Sequence, residues 1–566
     1  MSGFAHLPPV AARRWICALV SLLLISTATA PVAGTAAPAG TSAHREMVAA
    51  EGAEAAQAGL AVLERGGNAV DAAVATSLAL GVTNSGSCGI GGGGFMLIYW
   101  AKTHQLYALD YRERAPMAAS PTMYMRDGKP DEELARSGPL AVAVPGEAAG
   151  LDAALRRFGT MKFSTLAAAA IKLARGGFPL TPHMAKDVEF TAEKISHDPG
   201  FRAEFFDAGG APLKAGATVR NPQLAALLER LGNDPARNFY TGEPAAQIAD
   251  YMKQRGGLLT ARDLGDYHPV WRQPIRLGYR GYELYTMPPP SSGGVVLEIL
   301  GMLDQGPLGG LGADSPPSLA RLIAIMREGF LDRADYADPA YVNVPIVRLL
   351  SPAHITEARN RALHHTPAPA TTAAHDHGTS NFCVVDRHGN VVDVTTTINT
   401  IFGAKMMIPA LGLILNDEMD DFTVAPGVPN AFKLKQAATN DVAPGKRPLS
   451  SMSPLIALKD GRPALVVGGS GGPTIISGVA QVAINQLDFR LDPQQAVDEP
   501  RIHDQAEPDI VFVEDAMAAK TTASLAKMGY RLKMVPELGA VNTIAIAPGR
   551  LRGAFDPRKG GGVAGD

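Results

Sequence analysis

The 566-residue chain predicts an α/β (α+β) fold in which helices pack on sheets. Three observations carry that expectation. Ala-rich helical patterns fill 49–82 and helical patterns dominate 145–255. Strand-like runs rich in Val, Thr and Phe take over from 379 onward. A strand–glycine–helix unit stands at 464–487. Helices precede and follow blocks of strands, which suggests helices layered on sheets rather than strict βαβ alternation.

Composition agrees with a large core. Hydrophobic residues make up 46% and charged residues 19% of the chain, as in globular proteins. At roughly 150 residues per domain, the length allows three or four domains or one large α/β unit. The net charge of −3 gives no reason to expect a nucleic acid or an anionic membrane as partner. Near the N-terminus, Arg13 and Arg14 precede an apolar run at 15–26 that is short for a bilayer span. Ala28-Thr29-Ala30 follows. Residues 1–30 read as a secretory signal, cleaved at Ala30 or, since Pro31 follows, further on near Ala36. Localisation is then periplasmic or secreted, with membrane attachment only if the signal is uncleaved. Cys17 lies in that segment. Cys88 and Cys383 read as small buried hydrophobes, and no spacing resembles a zinc site.

Taken in order, 49–82 reads as two helices, with Gly66 and Gly67 ending the first and Asn68 and Asp71 capping the second. "CGIGGGGFMLIYW" is a Gly-rich loop entering a strand. "GYELYTMPPPSSGG" is a strand running into a Pro-rich loop, and 315–337 is one amphipathic helix. Residues 364–378 form a Pro/Ala/Thr-rich loose segment. There "TSNFCVVD" and "NVVDVTTT" flank the turn "DRHGN", an antiparallel hairpin signal. Centred on His388, it puts Thr379 opposite Thr397, with Cβ atoms about 5 Å apart.

A Thr hydroxyl needs a base. A free N-terminal amine serves, since its pKa lies near neutrality. That amine exists only if the chain breaks between Gly378 and Thr379. The alternative is a linker followed by an ordinary Thr-rich hairpin. Elsewhere "LNDEMDDF" offers Glu418, Asp420 and Asp421 to a substrate ammonium, or forms a solvated acidic turn. Ser450 and Ser451 offer hydroxyls to a carboxylate, or only turn chemistry. Arg112 and Arg114 are natural carboxylate partners. "GGSGGP" suits an oxyanion hole but also matches the G-x-S-x-G nucleophile elbow with Ser470. The one downstream His503 and the acids Asp492 and Asp498 sit too close together for an easy triad. His375, Asp376 and His377, in the loose segment, read as solvated rather than metal-bound.

Together "GIGGGGFML", "DYRERAP", "TSNFCVVD", "TTTINTIFG", "LNDEMDDF", "KRPLSSMSP" and "GGSGGP" resemble the γ-glutamyltranspeptidases, or glutathione hydrolases, within the N-terminal nucleophile hydrolases. The resemblance runs from about Ala49 to the C-terminus. It implies a four-layer αββα sandwich and a precursor that cuts itself into a large subunit (31–378) and a small catalytic subunit (379–566), which stay together as a heterodimer. It implies Thr379 as nucleophile, Thr397 as its hydroxyl partner, and Gly471 and Gly472 as oxyanion hole. Arg112, Ser450 and Ser451 would hold the α-carboxylate of a γ-glutamyl group, and Asn399, Glu418 and Asp421 its α-ammonium. The expected activity is γ-glutamyl hydrolysis or transfer to an amino acid or peptide, with glutathione among the substrates and neither cofactor nor metal. Departures are Asn381 where the family often has His, Cys383 for Ser or Thr, and Phe432 for a lid Tyr. The alternatives are a related acylase of glutaryl-type amides, a Ser470 hydrolase, and a non-processing binding homologue.

Overall fold

The computed structural model describes residues 40–566 apart from 305, 307, 309, 365–377, 426, 435 and 436. The segment read as a secretory signal and His375, Asp376 and His377 lie outside the described residues. Along the chain come β1 (Thr41–Ala43), β2 (Met47–Ala50), α1 (Ala53–Glu64), α2 (Ala69–Thr83), β3 (Gly93–Trp100) and β4 (Gln105–Tyr111). A helical block runs from Glu147–Phe158 to Glu243–Gln254. Then follow β5 (Val270–Arg272), β6 (Ile275–Tyr279), β7 (Tyr282–Thr286), α3 (Gly293–Asp304) and α4 (Pro316–Asp332). The C-terminal part holds β8 (Gly378–Val385), β9 (Val391–Asn399), β10 (Leu455–Lys459), β11 (Arg462–Ser470), α5 (Thr474–Leu487), β12 (Ala540–Ala547), β13 (Arg550–Ala554) and β14 (Gly562–Gly565).

These strands make two seven-stranded sheets, ordered β1-β13-β12-β11-β10-β7-β6 and β14-β2-β8-β9-β3-β4-β5. Every neighbouring pair in both sheets is antiparallel. Alternation along a strand sends successive side chains to opposite faces, and β8 obeys it. Phe382 and Val384 join Leu78, Ala79 and the other apolar residues of α1, α2 and the helical block. Cys383 and Val385 join the layer between the sheets, with Val466 and Val541 of β11 and β12. On the far side, α3 and α5 lie on the first sheet, with α4 against α3. The layers are helix, sheet, sheet, helix, as the resemblance implied. Residues 40–566 form one unit rather than three or four domains.

Four boundaries differ from the sequence reading. Of the loose segment read over 364–378, His364 belongs to the helix Pro352–His364 and Gly378 to β8. Ala49 and Ala50 belong to β2, not to a helix, because β2 is paired on both sides, by β8 and β14; that pairing outweighs the helix propensity of Ala. The helix predicted over 315–337 ends at Asp332 and tightens into a 3₁₀ turn, Arg333–Asp335. Gly468 and Gly469 lie inside β11, so the turn before α5 begins only after Ser470. Asn68 does cap α2, its side chain accepting from Val70 N and Asp71 N, while Asp71 accepts from Asn68 N. Cys88 and Cys383 are free and buried. Among the described residues no helix is long and apolar enough to cross a membrane.

Candidate active site

The hairpin has the expected register, with Thr379 opposite Thr397 and Val385 opposite Val391. The register shifts between Gly378 and Thr379, where Gly378 pairs instead with Asn399. The two threonine hydroxyls are 3.0 Å apart. Both also reach the carbonyl oxygen of Gly378, Thr379 Oγ1 at 2.7 Å and Thr397 Oγ1 at 2.8 Å. Asn399 N donates to Thr397 Oγ1 at 2.8 Å, which fixes the hydroxyl that Thr397 turns toward the Gly378–Thr379 bond. Gly378 itself fits closely. A Cβ there would lie 2.5 Å from the carbonyl carbon and oxygen of Thr400, well inside van der Waals contact.

From this pair the contacts lead to a buried charge cluster. Asn399, at a left-handed φ of 77°, donates through Nδ2 to Asp417 O at 2.9 Å. The next residue, Glu418, pairs with Arg112 Nη1, and Asp421 with Arg112 Nη2. Arg112 also donates to the carbonyls of Pro448 and Leu449, both at 3.2 Å, immediately before Ser450 and Ser451. Burial alone would lower the Arg112 pKa, but Glu418, Asp421 and Glu113 outweigh it and keep the guanidinium charged. Burial raises the carboxyls of Glu418 and Asp421, with Arg112 opposing. Glu113 adjoins Glu418, and burial pushes it up to about 8. The residues expected to hold a carboxylate and those expected to hold an ammonium are therefore joined, with Arg112 bonded to two of the acids.

The end of β11 is linked to the same threonine through Glu51 and Lys559. Ser470 adjoins Glu51, whose Oε1 accepts from Asn381 N at 3.2 Å. Lys559 Nζ lies 3.9 Å from Glu51 and donates to Thr379 O at 2.9 Å. Gly471 and Gly472 follow with φ values of 123° and 59°, and neither amide has a hydrogen-bond acceptor among the described residues. Paired unclaimed N–H groups at a tight turn can stabilise an oxyanion.

Other candidates fall outside this arrangement. Asp420 turns away, bonded to Arg136 Nε at 3.2 Å and to Ala431 N. Arg114 donates to Asp263 O and lies over the Tyr267 ring. The Ser470 triad is not assembled. His503 instead meets Ser477 Oγ at 2.9 Å and Gln505 Oε1 at 3.0 Å. Asp492 caps the following helix, and Asp498 accepts from Gln494. Asn381 donates to Asp393, Val394 O and Thr395, so it serves as an anchor between strands. Cys383 is fully buried, and burial raises its thiol far above the ordinary range, which makes it inert. Phe432 is buried, its carbonyl accepting from Gln505 Nε2.

Sequence reasoning missed Glu51, Arg333 and Lys559. Arg333 Nη2 donates to Ser451 Oγ at 3.2 Å. None of the three stands in a local pattern. Each meets the site across more than a hundred residues of chain.

The sequence pattern described as Gamma-glutamyltranspeptidase matches residues 55–566. The chain belongs to the gamma-glutamyltranspeptidase family. It is 38% identical over 528 residues to the glutathione hydrolase proenzyme of Escherichia coli strain K12, covering 91% of each chain. It is 39% identical over 512 residues to the glutathione hydrolase proenzyme of Pseudomonas aeruginosa, covering 88% of this chain and 90% of that one. Among solved structures, the cephalosporin acylase of Bacillus halodurans superposes with a TM-score of 0.83 at 29% identity, covering 93% of this chain and 96% of that one. In this gamma-glutamyltranspeptidase family member, then, the threonine pair, the charge cluster and the glycine turn occur on one shared scaffold.

Proposed function

We propose that this chain is a self-processing γ-glutamyl hydrolase and transferase acting on glutathione and other γ-glutamyl compounds. The observation that carries the reading is the Thr379–Thr397 pair, with both hydroxyls on the Gly378 carbonyl.

Processing begins when Thr379 Oγ adds to the Gly378 carbonyl carbon. The hydroxyl proton passes to the amide nitrogen, the C–N bond breaks, and an ester joins Gly378 to Thr379 Oγ. Water then adds to the ester and releases the Gly378 carboxylate and the hydroxyl. Thr397, donating to the same carbonyl oxygen, stabilises the negative charge that develops on it. The product is a large subunit ending at Gly378 and a small one beginning at Thr379. The new α-amine is the base for the adjacent hydroxyl.

In turnover, Thr379 Oγ attacks the γ-carbonyl of the donor and its proton leaves with the departing amine. The γ-glutamyl ester forms, while the amides of Gly471 and Gly472 hold the oxyanion. Water yields glutamate; an amino acid or peptide yields a new γ-glutamyl amide. Ser450, Ser451 and Arg112 receive the α-carboxylate, and Asn399, Glu418 and Asp421 the α-ammonium. A substrate carrying both charges enters a site that already pairs both signs, so each charge it buries meets a partner. The chemistry calls for neither metal nor cofactor. The charged and apolar runs at 13–26 support export to the periplasm or medium.

A related acylase is the second reading, favoured by the superposition on a cephalosporin acylase. The buried acids Glu418 and Asp421 weigh against it, since a glutaryl group offers them no ammonium. Intact mass and N-terminal sequencing beside Thr379→Ala, with rates on γ-glutamyl and glutaryl anilides, test both. Two chains, the smaller starting Thr-Ser-Asn-Phe, an uncut Thr379→Ala and a preference for γ-glutamyl anilide support the proposal. A single intact wild-type chain overturns it, and a preference for the glutaryl donor selects the acylase.

A further inference from the structure

Arg112 is hydrogen-bonded to two carboxylates, so its charge is already matched before any substrate arrives. A second guanidinium at the site is not matched in this way. Arg333, in the 3₁₀ turn after α4, is 4% exposed. Among the described residues no carboxylate is ion-paired with it. Asp332, its neighbour in the chain, is engaged by His354 at 2.6 Å. The partners of Arg333 are instead two hydroxyls, Ser292 Oγ from Nε at 3.0 Å and Ser451 Oγ from Nη2 at 3.2 Å. Asp421 attracts it only from beyond ion-pair distance, and a buried cation whose hydrogen bonds all go to neutral groups is better matched once an anion arrives.

The direction of these bonds matters. Guanidinium only donates, so Ser451 Oγ must accept from Arg333. The Ser451 proton is then free to point elsewhere, and none of the described residues accepts it. Ser292 likewise accepts from Arg333 and passes its own proton to Ser450 O at 2.6 Å. One side chain thus fixes both the backbone of Ser450 and the hydroxyl polarity of Ser451. Arg333 also lines a cavity of about 310 Å³ with Tyr336, Asn440, Leu449 and Gln505, room enough for a small ion.

We propose that Arg333 is a specificity-determining positioning residue that acts through Ser451 to select donors bearing an α-carboxylate. The proposal rests on the γ-glutamyl reading above. Arg112 meets the carboxylate with a charge already bonded to Glu418 and Asp421; Arg333, bonded to no carboxylate, adds a second positive charge behind Ser451.

The experiment compares wild type, Arg333→Met, Arg333→Lys, Arg333→Ala, Ser451→Ala and the Arg333→Met/Ser451→Ala double variant. Donors are γ-glutamyl anilide and 4-aminobutyryl anilide, which lacks only the α-carboxylate. Subunit processing and melting temperature are measured alongside. Arg333→Met is expected to raise KM for the γ-glutamyl donor about tenfold or more, on the order of a charged hydrogen bond, with kcat within about threefold. Its kcat/KM for the 4-aminobutyryl donor should stay within about twofold, because that donor never uses the charge. Arg333→Lys should recover part of the loss, and millimolar guanidinium should restore Arg333→Ala through the cavity. The double variant should be little worse than Ser451→Ala alone, since the two residues act in series. If Arg333→Met does not fold, Arg333→Lys and guanidinium rescue still decide. Equal losses on both donors, or no rescue in a folded and processed Arg333→Ala, overturn the proposal and leave a structural role. A wild type inactive on γ-glutamyl anilide would instead overturn the reading beneath it.

Discussion

Thr397 touches both halves of the proposed chemistry, because its hydroxyl meets the nucleophile and the scissile carbonyl at once. Thr397→Ala should therefore slow self-cleavage by about 10²-fold, the cost of losing one donor to a developing oxyanion, while Thr397→Ser keeps most of the rate. Time courses of precursor loss on gels check this; an unchanged rate would remove Thr397 from processing. Gly378→Ala acts on the same step by another route. Its Cβ would press on the Thr400 carbonyl at 2.5 Å, so the scissile carbonyl must shift away from both hydroxyls. Uncut protein should accumulate with a near-native melting temperature, readable by mass spectrometry. The threonine pair was legible in the sequence because a short hairpin leaves little freedom of register once its turn is recognised. Arg333 and Lys559 were not legible, since they meet Ser451 and Thr379 only through tertiary packing. The bonding of Arg112 to Glu418 and Asp421 was hidden for the same reason: matching each residue to half of a substrate says nothing of what those residues do to each other.

At the scale of elements, α2 shows what a local motif can and cannot convey. The Asn68–Asp71 capping box was readable from spacing alone. What the spacing concealed is that Asp71, fully buried, also accepts from Thr160 N, Thr160 Oγ1 and Met161 N. It thereby ties the start of α2 to the loop after the first helix of the helical block. Asp71→Ala should cost about 3 kcal/mol or more, because several donors lose one acceptor together. Loss of an ordinary cap costs about 1 kcal/mol. Urea unfolding of the two variants Asp71→Ala and Ser315→Ala would measure the difference, Ser315 capping α4 through a single bond to Ser318 N. Equal costs would mean that the loop anchors itself without Asp71. The strand at β2 was illegible for the opposite reason. Of its four residues only Val48 favours a strand, and its place between β8 and β14 makes it extended.

Over the whole molecule, two consequences follow from what the core buries and how the chain threads it. Glu204 is buried with Asn221 Nδ2 on its Oε2 at 2.7 Å, and burial lifts its carboxyl from an ordinary 4.5 to about 8, the Asn221 bond opposing. The folded state then holds a proton that the unfolded state releases between about pH 4.5 and 8. Stability from this group is full below that window and falls as pH rises through it. Glu204→Gln should raise the melting temperature at pH 9 and leave it nearly unchanged at pH 5; calorimetry at both values decides. The second consequence concerns the proposed cut. Strands β2 to β5 precede Gly378 and β8, β9 and β14 contain or follow it, yet all seven make one sheet. In the other sheet β1, β6 and β7 join β10 to β13 in the same way. Cleavage between Gly378 and Thr379 thus leaves two chains that share both sheets and the core between them, with β8 hydrogen-bonded to β2 on one side and β9 to β3 on the other. Neither chain keeps a closed core alone, so their association should be as strong as folding itself. Size-exclusion chromatography of processed protein should give one peak holding both chains at nanomolar concentration and in 1 M salt, separating only where the fold melts. Dissociation into two folded species in native buffer would mean that the sheets do not hold the halves together, and that each subunit has a core of its own.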